Sequence, residues 1–341
     1  MSAIFKTIKI LILEKVLSFI NERWNNQGRI KVLIVTNEYF TETKWETLFK
    51  QQDNDVIQNW NIVFCKSRYD AYRHFAAADI CFVFGYGSSL GKYNAGRKLL
   101  YFPLLGLDFL GSHPVSTNFI VEHPPAYSAI ALAEYSVAMT ILLSRYLHYS
   151  IYNQLNKKWD QYPCLKKPFV SLSDMKIGIL GVGNVGSVIA SQFKKNRCYI
   201  AGFDKTINTS LTAIDKWYGV HELYDFLEAI DVLVISISLT KETRYLIGSE
   251  ELKKLGPASY LINISRGEII NETALFMALK NNLIKGAVID TFSTEPLPST
   301  SELYDLDNLI ITPHIAGNMN LFVKEIQQDF ICKAIEYSKN V

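Results

Sequence analysis

The feature that most constrains this chain is the run Gly181-Val182-Gly183-Asn184-Val185-Gly186. It follows the apolar stretch Ile177–Leu180 and leads into a helical pattern over 185–195. That context turns a weak GxGxxG into a strand–turn–helix unit. Gly181 is expected to make the tight turn, Gly183 to open the backbone to a pyrophosphate, and Gly186 to let helix and strand pack closely. Asn184 and Val185 begin the helix, whose first N–H groups and dipole favour phosphate. The next expected strand, 199–203, leads to Asp204, 18 residues past Gly186. A carboxylate there can accept hydrogen bonds from ribose hydroxyls, so the unit predicts a dinucleotide site.

Around this unit, short β-branched runs alternate with helical stretches, which predicts parallel sheets with crossover helices. Strands are expected at 31–36, 61–65, 80–84 and 98–102. Six more are expected at 176–180, 199–203, 232–238, 259–264, 286–289 and 309–312. The six later strands suit a doubly wound dinucleotide domain. A long helix is expected from Ser128 to about Ser150, and Pro124-Pro125 ahead of it suit a passage between domains. Tyr152 to Ser173 has no clear period and reads as an extended arm or loop, free to lie on its own domain or on a partner subunit. Leu321 to Tyr337 reads as a helix too short to be a domain, so it must pack on something already built. Ile4 to Ile20 has apolar residues at helical spacing. Glu14 and Lys15 interrupt its apolar run, so an amphipathic helix is expected there rather than a signal peptide.

At 341 residues there is room for two domains or one large α/β enzyme. Lys and Arg total 35 against 33 Asp and Glu, a net charge of +2 that carries no footprint of a nucleic-acid binder. Five scattered cysteines without a CxxC pair predict neither a disulfide framework nor a zinc site. No metal is therefore expected, and a reducing cytoplasm is the expected location. No run approaches a membrane span, so no membrane partner is expected.

Three further segments fall at expected C-terminal strand ends, where open α/β sheets place their ligands. They are Ile262-Asn-Ile-Ser-Arg-Gly267, Val288-Ile-Asp-Thr-Phe-Ser-Thr-Glu-Pro-Leu297 and Thr312-Pro-His-Ile-Ala-Gly317. They offer Arg266, Asp290 with Glu295, and His314. Such a set suits hydride transfer to a ketone. A protonated imidazole can donate to the oxygen on which charge develops. A neighbouring carboxylate favours that charged form and fixes the tautomer. A guanidinium can polarise the carbonyl and grip an adjoining carboxylate in a fork.

These motifs resemble those of the D-isomer-specific 2-hydroxyacid dehydrogenase family, over nearly the whole chain and most strongly from Gly181 to Gly317. The resemblance implies that Arg266, Glu295 and His314 are catalytic. Besides the glycine turn and Asp204, it implies cofactor contacts from Ser236, Leu239, Thr240 and Thr243 after the fourth cofactor strand. Ile264, Arg266, His314 and Gly317 complete that set, with Asp290 beside the nicotinamide and Ala133-Glu134 matching a pair on the interdomain helix. The implied fold is two Rossmann- or flavodoxin-like α/β lobes with doubly wound parallel sheets. A discontinuous substrate domain, 1–124 with 315–341, would carry an inserted NAD-binding domain, 125–314. A homodimer through the NAD-binding domain and a small carboxylate substrate, a 2-ketoacid or D-2-hydroxyacid, are also implied.

NAD is expected over NADP, because a 2′-phosphate would meet the like charge of Asp204. Lys205, which could soften that repulsion, reads as a solvated loop charge. The family often carries a Gly-Ala-Gly-Val-Asp-type turn in its substrate domain. The equivalent stretch here is Leu104-Leu105-Gly106-Leu107-Asp108. A second glycine-rich loop, 84–89, carries Tyr86 and Gly87. Tyr86, Gly87, Leu105, Gly106 and Arg266 are the candidate substrate contacts. Two alternatives stay open: a same-fold dehydrogenase of another hydride donor such as phosphite, and a non-enzymatic NAD-sensing protein. Formate relatives typically carry Gln where this chain has Glu295, which counts against formate.

Overall fold

The computed structural model describes residues 30–52, 54–83, 98–103, 119–125, 127–161, 170–317 and 319–340. The amphipathic stretch Ile4 to Ile20 lies outside the described residues. The chain divides into two compact units. Residues up to Tyr127 join those from Met319 onward, and Ser128 to Asn318 form the other unit. The chain therefore passes between units at 127/128 and 318/319, against the expected 124/125 and 314/315.

The first unit contains β1 (Ile30–Val35), α1 (Glu42–Lys50), α2 (Asp55–Gln58), β2 (Trp60–Cys65), α3 (Arg68–Phe75), β3 (Ile80–Phe82), β4 (Lys98–Tyr101) and β5 (Phe119–Glu122). The described strands form a parallel sheet in the order β2-β1-β3-β4-β5. Successive side chains of a strand point to opposite faces, and β1 is apolar on both. Val32 and Ile34 enter a core with Trp45 and Phe82, while Leu33 and Val35 enter another with Ala71 and Phe75 of α3. A strand buried on both sides reads as a continuous apolar run, which is why β1 is visible in the sequence. Thr41 and Ser67 start α1 and α3 by accepting from the backbone N–H groups of Lys44 and Asp70.

The second unit opens with α4 (Ser128–Ser144) and α5 (Leu147–Leu155). A single helix to about Ser150 was expected, but Tyr146 adopts a left-handed backbone (φ 55°) and breaks it in two. The second helix then runs through Leu155, so the first residues of the expected arm are helical. The sheet follows: β6 (Lys176–Leu180), α6 (Asn184–Lys195), β7 (Tyr199–Phe203), β8 (Lys216–Tyr218), α7 (Leu223–Glu228) and β9 (Val232–Ile235). It continues with α8 (Ser249–Leu255), β10 (Tyr260–Asn263), α9 (Glu272–Lys280), β11 (Gly286–Ile289) and β12 (Leu309–Ile311). All its pairings are parallel, in the order β12-β11-β10-β9-β6-β7-β8. The winding reverses between β6 and β9, which makes their C-terminal ends the switch point of a doubly wound sheet. Val232 and Val234 of β9 face the α4 and α6 side, and Leu233 and Ile235 face the opposite core. The ten expected strands are present, and β5 and β8 add to them. Among the described residues, no single helix is long and apolar enough to cross a membrane.

The C-terminal helix α10 (Val323–Lys339) completes the first unit. Val323, Ile326, Phe330, Ile331, Ala334 and Tyr337 recur at helical spacing and enter the core that holds Trp45 and Phe82. The Phe330 ring lies 5.4 Å from Trp45, 5.3 Å from Phe82 and 5.4 Å from Tyr101. The Tyr101 hydroxyl donates to Asp329 (2.7 Å), and Lys333 pairs with Glu122 (2.5 Å). Phe330→Ala should therefore cost about 3–5 kcal/mol in urea unfolding, the scale for a fully buried aromatic. A loss below about 1 kcal/mol would mean that the helix adds little to this unit.

Candidate active site

At the switch point the three glycines divide the work. Gly181 has φ +94°, a left-handed backbone that lets the chain turn sharply off β6. A Cβ on Gly186 would overlap the carbonyl oxygen of Gly181, so only glycine lets α6 dock this closely. A Cβ on Gly183 would meet nothing within 4 Å, leaving the backbone there open to an incoming group. Gly183 is also the N-cap of α6 and supplies no side-chain cap. The first helical N–H groups and the dipole are thus aimed at a position that suits a phosphate. Asn184 is exposed, while Val185 is half buried against the core under α6.

Asp204 stands at the end of β7. One carboxylate oxygen accepts from the Val182 N–H (2.8 Å) and the other from the Thr206 N–H (3.0 Å). The acid is held against the glycine turn, and each oxygen keeps a second lone pair for a ribose hydroxyl. These residues fit the adenosine and pyrophosphate portions of a dinucleotide.

A belt of loops leads from the turn to the other candidates. The Ser236 hydroxyl donates to Gly181 O (2.7 Å), and a Cβ on Gly181 would crowd the Ile237 backbone. The Ser265 hydroxyl in turn donates to Ile237 O. Buried Asn263 shapes the next turn, donating to Arg266 O (3.0 Å) and accepting from Ser265 N–H (3.1 Å). Gly267 then presses on the backbone of Phe292 and Ser293, where a Cβ would overlap it. That contact seats the turn bearing Arg266 on the loop bearing Glu295.

Glu295 is fixed at both oxygens. One accepts from Phe292 N–H (2.9 Å), and the other lies 2.8 Å from His314 Nδ1. A carboxylate accepts, so Nδ1 carries the proton of this bond and Nε2 is the nitrogen available for chemistry. His314 has φ 55°, a conformation that costs a non-glycine residue about 1–2 kcal/mol. Its surroundings impose it. Asp290 is 1% exposed, its carbonyl accepts the His314 N–H (2.9 Å), and its carboxylate accepts from Ile315 N–H (2.9 Å) and Ala316 N–H (3.0 Å). The Thr312 hydroxyl donates to the same carboxylate at 2.6 Å.

The structure thus brings the glycine turn, Asp204 and Ser236 to one point, and Arg266, Asp290, Glu295 and His314 to adjoining loops. Asp290, expected beside the nicotinamide, uses both oxygens to build the turn that carries His314. Thr240 and Thr243 close their own loop: the Thr243 hydroxyl accepts from Thr240 N–H (2.7 Å) and donates to Ser238 O (2.7 Å). Leu239 packs on the core beside them, and Ile264 is buried under β10. Gly317 lies against Ser128 and Leu132 of α4. Ala133 is buried and Glu134 exposed on that helix. Arg266 is half buried, with its guanidinium donating to Ser265 O (2.9 Å). Tyr86, Gly87, Leu105 and Gly106 lie outside the described residues. The roles of Asn263, Gly267 and Thr312 were not read from sequence. An asparagine ending an apolar strand was the one available signal. Among the described residues, no group of three or more His, Cys, Asp or Glu is placed to hold a metal.

Comparison with known proteins adds to this geometry. Residues 137–316 match the family model described as D-isomer specific 2-hydroxyacid dehydrogenase, NAD binding domain. The glyoxylate reductase of Thermofilum pendens is 32% identical over 201 residues, 58% of either chain. The D-3-phosphoglycerate dehydrogenase of Synechocystis is 31% identical over 209 residues, 60% of this chain and 36% of that one. The chain thus matches less than two thirds of the length of these relatives. A D-isomer specific 2-hydroxyacid dehydrogenase family protein from Aeromonas salmonicida shares the fold with TM-score 0.77 at 23% identity, covering 92% of this chain and 97% of that one. The Xanthobacter autotrophicus structure in complex with NADPH and MES has TM-score 0.70 at 20% identity, over 89% and 95%. A glycine turn at the switch point of a doubly wound sheet and a family match across more than half the residues lead to one conclusion: the chain belongs to the D-isomer specific 2-hydroxyacid dehydrogenase family.

Proposed function

We propose that this protein reduces small 2-ketoacids to D-2-hydroxyacids with NADH, and runs the reverse reaction with NAD. The observation that carries the reading is the 2.8 Å pair of His314 and Glu295 on the belt of loops that begins at the glycine turn. The turn, Asp204 and Ser236 would hold the dinucleotide, which supplies the hydride for the carbonyl carbon. His314 gives the proton from Nε2 to the carbonyl oxygen while its Nδ1–H stays on Glu295. Glu295 stabilises the imidazolium before transfer and holds the ring to one orientation. Arg266 grips the substrate carboxylate and polarises the adjoining carbonyl with its planar fork. The unit that ends with α10 is the proposed substrate domain, with Tyr86, Gly87, Leu105 and Gly106 as its contacts.

The test is turnover of glyoxylate, pyruvate, hydroxypyruvate and longer 2-ketoacids with NADH, beside phosphite with NAD. Turnover of phosphite alone would favour the other hydride donor, and silence throughout would favour a sensor. With an active ketoacid, His314→Ala should lose about 10²–10⁴-fold in kcat, the usual worth of a general acid, and still bind NADH by fluorescence titration. Glu295→Gln keeps an acceptor for Nδ1–H but removes the charge, so its kcat should fall less. Arg266→Lys should lose about tenfold or more, since an ammonium cannot form the fork. Wild-type turnover in His314→Ala would refute the reading.

We infer a preference for NAD from Asp204, whose remaining lone pairs suit ribose hydroxyls and repel a 2′-phosphate. Lys205 reads as a solvated loop charge whose field reaches the exposed Glu242. Glu242 is held below the ordinary carboxylate range by a hydrogen bond with Thr240 and its own backbone, then by Lys241 and Lys205. Asp204→Ala should move the NADH to NADPH ratio of kcat/KM toward NADPH by about tenfold, the scale of one charged contact. An unchanged ratio would place the discrimination elsewhere.

We also infer a homodimer through the unit that holds the glycine turn. Leu147, Ile151 and Leu155 recur every four residues on α5 and are exposed, Leu155 at 79%, and Trp159 beyond them is 92% exposed. Such an apolar stripe supports this reading. Light scattering at micromolar concentration should give the mass of two chains, and Leu155→Asp should give one. A monomeric wild type would refute the inference.

A further inference from the structure

The turn that carries His314 has a support on α4. The Thr312 hydroxyl has one proton, and that proton goes to the Asp290 carboxylate, which can only accept. The Tyr135 hydroxyl lies 2.5 Å from the Thr312 oxygen and must therefore be the donor of their bond. The chain runs in one direction: Tyr135 to Thr312, Thr312 to Asp290, with Ile315 and Ala316 donating to the same carboxylate. Burial pushes the Tyr135 phenol up to about 12, so it keeps its proton throughout the neutral range. His314 has a left-handed backbone, a conformation that persists only where its surroundings hold it.

We propose that Tyr135 is a positioning residue for His314, acting through Thr312 and Asp290 to hold the turn that aims the imidazole. This rests on the reading of His314 as the acid. Two routes can link α4 to this turn, ring packing and the hydroxyl, and Tyr135→Phe separates them by keeping the ring.

The experiment combines kinetics on glyoxylate and NADH with amide hydrogen exchange of the protein without nucleotide. In Tyr135→Phe the amides of Ile315 and Ala316 should exchange about three- to tenfold faster than in wild type, the scale of one hydrogen bond. Exchange at Ile179 and Val234 in the sheet should not change. The kcat should fall by about the same factor with KM for NADH unchanged. Thr312→Val, which removes both the bond to Asp290 and the acceptor for Tyr135, should show the same effects at least as strongly, and Thr312→Ser, which retains the hydroxyl, should keep both near wild type. The double variant Tyr135→Phe/Thr312→Val should be no worse than Thr312→Val, because the bond is already absent. Wild-type exchange and kcat in Tyr135→Phe would overturn the proposal, as would losses that multiply in the double variant. A rise in KM for NADH matching the loss in kcat would also overturn it, assigning Tyr135 to the dinucleotide site. Full turnover in His314→Ala, measured alongside, would overturn the acid reading and the proposal with it. Loss in His314→Ala with wild-type behaviour in Tyr135→Phe would overturn the proposal alone.

Discussion

The close approach of Gly186 to the carbonyl of Gly181 is the constraint on which the rest of the second unit depends. It lets α6 lie directly on the sheet, which brings the helix N-terminus to the end of β6 with no side chain between. The turn then reaches Asp204 on one side through the Val182 N–H and Ser236 on the other through the Gly181 carbonyl. Both partners sit at the ends of the strands that flank β6. A larger residue at 186 would lift the helix and separate all three.

From Ser236 the same logic passes along the sheet edge, one loop to the next. Each junction is a backbone contact or a buried polar group. Ser265 bonds Ile237, Asn263 shapes the arginine turn, and Gly267 presses on Phe292. Asp290 then builds the final turn around its own carboxylate. A buried carboxylate accepting several donors is a stiff device, because leaving any one of its bonds unmade in the interior is costly. Stiffness matters where an imidazole must present one nitrogen at a fixed place, and general acid catalysis depends on that placement.

Much of this was legible in the chain. The central strands were visible because both their faces are buried, which writes them as unbroken apolar runs such as Ile177–Leu180 and Val232–Ile235. The strands β5 (Phe119–Glu122) and β8 (Lys216–Tyr218) were not read from the sequence. The break at Tyr146 was not read either, because nothing local forbids the helix there and the left-handed turn is a tertiary outcome. Arg266, Glu295 and His314 were readable as motifs because each sits in a short loop after a strand. Gly267 and Thr312 were not, because their partners lie in other segments, and Asn263 was not either, although it bonds within its own turn.

The sequence by itself determined the doubly wound character of the later strands, the glycine turn with its acid at Asp204, and the three residue types that suit hydride chemistry. These are local properties, since period, glycine spacing and strand-end position are carried by contiguous residues. Only the tertiary structure decided that Asp290 spends its carboxylate on the turn of His314, and that α4 reaches that turn through Tyr135 and Thr312. The reason is physical. A carboxylate is committed by the donors that surround it, and those donors come from residues 22, 25 and 26 positions away along the chain, which only the fold brings together.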